Sequence, residues 1–288
     1  MKEITILSGK GGTGKTSITA AIASVAQNAV FCDSDVDAAD LHLILQPEIK
    51  EQHTFHSAWI ATVDEAQCNQ CGSCKAHCHF NAIHLNAEQK LTINPFQCEG
   101  CRLCERLCPQ QAITSERSSN NFWYVSDTRL GVLVHAKMGP GEENSGKLVT
   151  QVRKRAKELA AQSDASYIIN DGPPGIGCAA ISAITGSHKV LLVIEPSKSG
   201  WHDAERLIEL INSFNIPAFA LINKYDINAD VAQQIEAALK GHNIPLLGKL
   251  PFDTKMVEAM IESQTIVEYA PASEISKTLQ EVWHILKS

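Results

Sequence analysis

Eight of the ten cysteines fall between Cys68 and Cys108, in two copies of one spacing: Cys68-x2-Cys71-x2-Cys74-x3-Cys78 and Cys98-x2-Cys101-x2-Cys104-x3-Cys108. Each copy is followed by the same pair, Ala82-Ile83 and Ala112-Ile113, so the stretch reads as one supersecondary unit used twice. A segment this rich in cysteine and this poor in long apolar periods does not continue a regular core. Residues 61–117 are therefore expected to form a small module inserted into a larger domain made of residues 1–60 and 118–288.

Around the module, strands and helices alternate. Glu3–Leu7 reads as a strand, a glycine-rich turn follows, and the alanine-rich stretch 16–26 suits a helix. Ala29–Cys32 is a second strand that runs into the acidic loop Asp33–Asp40. Beyond the module, 131–135, 167–170, 190–194 and 218–222 read as strands, and 148–161, 202–214, 231–240 and 275–286 as helices. The alternation predicts an α/β fold with a doubly wound, mostly parallel sheet, while the insert's cysteine spacing resembles that of bacterial ferredoxins and so implies a small α+β unit. With 44% hydrophobic residues over 288 positions, both can be supplied with a core.

A formal charge of −7 argues against a broad grip on nucleic acid or anionic lipid. No run approaches the roughly 20 apolar residues that cross a bilayer, and Met1–Ser8 lacks a secretory stretch. A cytoplasmic protein without a stable membrane anchor is expected. In that setting ten cysteines point to metal or redox chemistry rather than disulfides.

Gly9-Lys10-Gly11-Gly12-Thr13-Gly14-Lys15-Thr16 matches the phosphate-loop pattern and lies between a strand and a helix, where its mechanism requires. Glycines let backbone N–H groups turn inward to phosphate oxygens, Lys15 neutralises charge, and the Thr16 hydroxyl can ligate Mg²⁺. Gly11, Gly12, Thr13, Gly14, Lys15, Thr16 and Ser17 are the expected nucleotide-binding residues. Ile168-Ile169-Asn170-Asp171-Gly172-Pro173-Pro174-Gly175 is an apolar strand ending in an acid and a rigid turn, with Asp171 placed to hold Mg²⁺ through water. Asn223-Lys224-Tyr225-Asp226 fits the guanine-reading pattern Asn-Lys-x-Asp, which leaves GTP open beside ATP.

The cysteine spacing is that of bacterial two-cluster ferredoxins, in which the fourth cysteine of each run serves the other cluster. One [4Fe-4S] cluster would take Cys68, Cys71, Cys74 and Cys108, the other Cys98, Cys101, Cys104 and Cys78. Zinc is the alternative, although a tetrahedral site needs only four thiolates and not this spacing twice. His79 stands where the second copy has Pro109, a departure that puts loop rigidity and the potential of the second cluster in question. Cys32 and Cys178 read as small buried residues. The glycine-rich segment 138–147 reads either as a partner-facing loop or as a connection with Ser145 as helix cap.

The second lysine of the loop, Lys10, resembles the signature lysine of the MinD, ParA, Mrp and nitrogenase iron-protein group of deviant P-loop ATPases. The resemblance covers nearly the whole chain, and within the group it points to members with an inserted ferredoxin domain. It implies that Lys10 reaches the phosphates across a nucleotide-dependent homodimer or closely related heterodimer. It also implies that Asp33 supports Mg²⁺, that Asp35 orients the attacking water, and that Gly175 senses the γ-phosphate through its backbone. Adenine is assigned to Asn223, Pro251 and Asp253, which favours ATP. Lys10, Lys15, Asp35 and Asp171 are then the catalytic set of an ATPase that couples nucleotide state to electron transfer toward a redox or iron–sulfur partner protein. An iron–sulfur carrier of Mrp type is the alternative. MinD-like membrane positioning needs a basic amphipathic terminal helix, a bias that 274–288 lacks.

Overall fold

Along Lys189–Ile194, Leu191 and Val193 join one apolar layer while Val190, Leu192 and Ile194 join another. A strand buried on both faces belongs inside a sheet with helices on each side. The computed structural model describes residues 1–56, 59–139 and 145–288. Its elements are β1 (Lys2–Ser8), α1 (Lys15–Val25), β2 (Ala29–Asp33), α2 (Leu41–Leu45), β3 (Glu48–Phe55), β4 (Trp59–Val63), α3 (Ser73–Ala76), β5 (Ile83–Leu85), β6 (Leu91–Ile93), α4 (Leu103–Leu107), β7 (Ile113–Arg117) and β8 (Asn121–Thr128). They continue with β9 (Gly131–Lys137), α5 (Ser145–Gln162), β10 (Tyr167–Pro174), α6 (Cys178–Ile184), β11 (Lys189–Ile194), α7 (Lys198–Ser213), β12 (Ala218–Asn223), α8 (Ala229–Gly241), β13 (Leu246–Leu250), α9 (Lys255–Ile261), α10 (Ile266–Tyr269) and α11 (Glu274–Lys287). The chain divides into two compact units, one made of Met1–Gln52, Trp123–Lys137 and Ser145–Ser288, the other built on His53–Phe122.

The larger unit carries a sheet in the order β13-β12-β11-β1-β10-β2-β9-β8-β3. From β13 to β9 every neighbouring pair is parallel, as the β/α alternation predicts. Two residues join β8 to β9, so that edge turns antiparallel by a hairpin. Strands β3 and β8 are additions that the sequence reading missed, because their polar residues break the apolar runs: β3 is Glu-Ile-Lys-Glu-Gln-His-Thr-Phe. One face of the sheet packs against Ile18, Ile22, Leu279 and Val282 of α1 and α11, the other against Leu207, Ile211, Ile235 and Leu239 of α7 and α8. Among the described residues no helix is long and apolar enough to cross a membrane.

Beneath the sheet, Glu3 is 1% exposed and paired with Arg153 at 2.6 Å and Lys157 at 3.0 Å. Arg153 also donates to the carbonyls of Ser182 and Thr185, which ties α5 to α6 and β1. A charge buried this way persists only because its partners are in place.

His135 of β9 is buried, with Nε2 3.0 Å from the Ser126 hydroxyl and its ring stacked on Tyr124. Burial, and then the neighbouring His42, push its pKa down to about 4 from 6.5. The unfolded chain therefore binds a proton that the folded chain refuses, so this stability is whole above pH 6.5 and drains away as pH falls toward 4. The loss is about 3 kcal/mol for a shift of this size. Urea titrations at pH 7 and pH 5 should show a steeper acid loss for the unaltered chain than for His135→Gln. Equal slopes would contradict the assignment.

The smaller unit has two antiparallel ribbons, β4 with β7 and β5 with β6. Among the described residues one buried cluster of this unit is Ala61, Cys74, Ile83, Leu91 and Ile113, with five further cysteines packed against it. Units of this size usually need disulfides or a metal to hold together, and none of its eight cysteines is paired in a disulfide.

Candidate functional site

Sheet register sets the acids. In the β10–β2 pairing Asp171 lies opposite Asp33, and in the β1–β10 pairing it lies opposite Ile6. Both carboxylates thus reach the carboxyl end of the sheet beside the loop that leaves β1, where α/β sheets bind ligands. The loop turns through left-handed Gly12 (φ 79°) and Gly14 (φ 87°) into α1. A Cβ on Gly14 would sit 2.5 Å from Asn223 Nδ2, and one on Gly9 would strike the α7 backbone at 2.6 Å. Asn223 Nδ2 donates to the Thr13 carbonyl at 2.7 Å, and Lys224 Nζ to that of Gly12 at 3.2 Å. The Thr13 hydroxyl is buried with no protein partner, as suits a group reserved for a ligand.

Lys15 is the cation of the site, 2.9 Å from Asp171 and 3.5 Å from Asp35. Burial opposes its charge, but Asp171, Asp35 and Asp33 outweigh burial and raise its pKa. Asp35 is pushed up to about 6, by burial first, against the pull of Lys15. Asp33 is wholly buried, which together with Asp171 raises its pKa well above the usual range. Its oxygens accept the backbone N–H groups of Asp35 and Leu41. It therefore braces the loop 33–41, and it does not border the open cleft.

That cleft has a volume of about 530 Å³ and runs from the phosphate loop, past Asp35 and Pro174, to Asn223, Pro251 and Asp253, ample for a nucleotide. Over residues 4–266 the sequence matches the family model described as CbiA, the CobQ/CobB/MinD/ParA nucleotide binding domain. The chain belongs to this family. It is similar to protein MJ0578 of Methanocaldococcus jannaschii, at 31% identity across 99% of this chain and 96% of that one. The septum site-determining protein MinD of Synechocystis is 24% identical, across 92% and 81% of the two chains. Among solved structures, MinD complexed with Mg-ADP from Pyrococcus horikoshii gives a TM-score of 0.59 at 19% identity, covering 99% of this chain and 95% of that one. The Cyanothece McdA(D38A)-ATP complex gives 0.60 at 16%, covering 99% and 96%. Likeness at these identities shows a MinD-like α/β fold.

In this CobQ/CobB/MinD/ParA-type domain the far end of the cleft is lined by Phe252, Met256, Val257 and Met260, and Leu43 and Ile44 line it from α2. Sequence reasoning missed the α9 residues: Val257 and Met260 are about half exposed, so they carry no buried periodicity, and only their facing a cleft gives them a role. Asp226, the acid of the guanine-reading pattern, accepts the Phe252 N–H at 2.6 Å. Asp40 precedes α2 but its side chain makes no capping bond. Lys10 does not border the cleft; its ammonium lies 3.4 Å from Glu195 and 3.1 Å from Ser197. The Gly175 N–H, expected to sense phosphate, donates to Ser8 at 3.0 Å.

In the smaller unit the repeat is visible in the backbone. Gln70 and Gly100, Gly72 and Arg102, and Asn81 and Gln111 are matched pairs in the left-handed region, and Ala82 and Ile83 are buried as deeply as Ala112 and Ile113. One cavity is bordered by Cys68, Cys71, Cys74 and Cys108, with Val63, Leu91 and Ile113. A second is bordered by Cys98, Cys101, Cys104 and Cys78, together with Cys74. Among the described residues no three His, Cys, Asp or Glu side chains gather tightly enough for a single metal ion. Burial raises Cys74 and pushes Cys104 up to about 11, so thiolates there need a metal to persist. His79 borders neither cavity.

Cys32 is buried, and burial pushes its thiol up to about 12. Cys178 corrects the sequence reading: it is exposed, because α6 turns Ala180, Ala183 and Ile184 inward instead. Of the glycine-rich segment, residues 140–144 lie outside the described residues, and Ser145 opens α5.

Proposed function

We infer that the chain is a Mg²⁺-dependent ATPase of MinD/ParA type whose inserted module, residues 61–117, holds two [4Fe-4S] clusters and serves electron transfer to a partner protein. One observation carries the redox half: each cavity is bordered by three cysteines of one repeat and the last cysteine of the other. The clusters, when bound, supply one-electron chemistry. The chain's part is to provide eight thiolates, exclude water from them with Ile83, Ile93, Leu91 and Ile113, and bind nucleotide at the phosphate loop. Lys15 answers the phosphates, Thr16 and Asp171 the Mg²⁺ with Asp33 behind them, and Asp35 the attacking water. Lys10 would leave Glu195 and Ser197 of its own chain to serve a second copy. ATP is favoured over GTP because Asp226 is engaged by Phe252.

Anaerobic preparation with iron and sulfide analysis, followed by EPR with and without ATP, tests this reading. Absence of reversible reduction, or stoichiometric zinc in place of iron, would overturn it. A second reading, a positioning ATPase, has the likeness to MinD in its favour. It expects ATP-dependent cosedimentation with anionic vesicles and no requirement for the cysteines. Transfer of the clusters to an apo-protein would instead favour the carrier reading.

Asp35→Ala is expected to leave ATP binding intact and lower hydrolysis by about 10²-fold or more, since it removes the group that aligns water. Filter binding beside phosphate release checks this. Parallel loss of binding would place Asp35 in the nucleotide grip instead.

A further inference from the structure

Three groups on one face of α1 converge on Asp171: the Lys15 ammonium at 2.9 Å, the Thr16 hydroxyl at 2.7 Å and the Thr19 hydroxyl at 2.7 Å. The phosphate-loop pattern accounts for the first two and stops there. Thr19 lies three and four residues beyond them, on the same face of the helix, and is fully buried beside a fully buried carboxylate.

The hydroxyl has one hydrogen to give, and two acceptors are in reach: Asp171 Oδ1, and the Lys15 carbonyl at 3.0 Å. Neither acceptor can donate to it. The Lys15 carbonyl is already the acceptor of an α1 backbone bond, whereas a carboxylate oxygen makes the stronger, charge-assisted bond. The hydrogen therefore goes to Asp171. Thr16 donates to the other oxygen, Oδ2, so the carboxylate is held from both sides, and the Thr16 oxygen, which also accepts from Lys15 Nζ at 3.4 Å, keeps a second lone pair that can serve a Mg²⁺ ion.

Of these three groups, Lys15 has a second duty, since the phosphates need the same ammonium. Thr16 has one as well, toward the metal. Among the described residues Thr19 alone of the three has no other charged partner, so it can fix Asp171 whatever Lys15 and Thr16 are doing.

We propose that Thr19 is a positioning residue for the Mg²⁺ site, orienting Asp171 independently of the phosphate loop. This rests on the Mg²⁺–nucleotide reading given above. The test is fluorescence titration of the full chain with mant-ADP, across Mg²⁺ concentrations and in EDTA, for the unaltered protein, Thr19→Val, Thr19→Ala and Thr19→Ser. Removing the hydroxyl should raise the Mg²⁺ concentration that half-maximally tightens mant-ADP binding by about tenfold or more, the usual scale for a residue that orients a metal-binding group. Affinity in EDTA should be unchanged, and serine should restore the Mg²⁺ response. Should valine fail to fold, alanine carries the same comparison.

Weakening by the same factor with and without Mg²⁺ would make Thr19 merely structural and overturn the assignment, as would an unaltered Mg²⁺ response in the valine and alanine variants. If the unaltered chain binds mant-ADP without any response to Mg²⁺, the metal reading itself fails and the assignment falls with it.

Discussion

Lys15→Met should cut ATP affinity by about 100-fold or more, the scale of about 3 kcal/mol expected when one member of a buried charge pair is truncated. The side chain is 6% exposed and faces Asp171 and Asp35, so methionine would fill the space but leave clustered carboxylates without their cation. A second effect follows in the fold itself. An uncompensated buried charge costs about 3–5 kcal/mol, and here the acids can escape only by taking up protons. The pKa of Asp33 is already raised by burial, and that of Asp35 stands at about 6. Losing the opposing cation must raise both further, so the variant should regain stability as pH falls below neutrality. Titration with a fluorescent ATP analogue and urea unfolding at pH 8 and pH 6 measure the two effects. Retained affinity would remove Lys15 from the phosphate site, and a pH-independent stability loss would remove it from the role of counter-ion.

The larger effect belongs to the smaller unit, where two double substitutions with equal numbers of cysteines should give opposite results. Cys68 and Cys108 lie in different repeats but border one cavity, whereas Cys98 and Cys108 share a repeat and border different ones. With two four-iron clusters, Cys68→Ser/Cys108→Ser should retain about four iron atoms of about eight, and Cys98→Ser/Cys108→Ser should retain almost none. Because so little else is buried in this unit, the second variant should also lose near-UV dichroism and become open to proteolysis within 59–122. Iron and sulfide assays on protein refolded anaerobically decide it. Equal iron in the two variants would contradict the crossed arrangement.

Much of this was legible in the sequence because it is local. A strand, a glycine-rich turn and a helix in a row leave β1, the phosphate loop and α1 few alternatives, and the grouping of cysteines follows from a spacing repeated within 41 positions of Cys68 to Cys108. What escaped depends on distance along the chain. Asn223 sits in a base-reading motif, yet its amide braces Thr13, 210 residues away. Glu195 carried no motif, and it is found only because Lys10 reaches it. Thr19 has an unremarkable place on a helix until Asp171 is brought beside it by the β1–β10 pairing. Cys178 misled for the opposite reason: small neighbours suggested burial, but on a short helix the inward face is chosen by Ala180, Ala183 and Ile184.

The backbone of α7 passes so near Gly9 that not even a methyl group fits between them. The opening of the phosphate loop and this sixteen-residue helix thus lie backbone against backbone, so any side chain placed at position 9 would have to push the loop and the helix apart before nucleotide could be gripped.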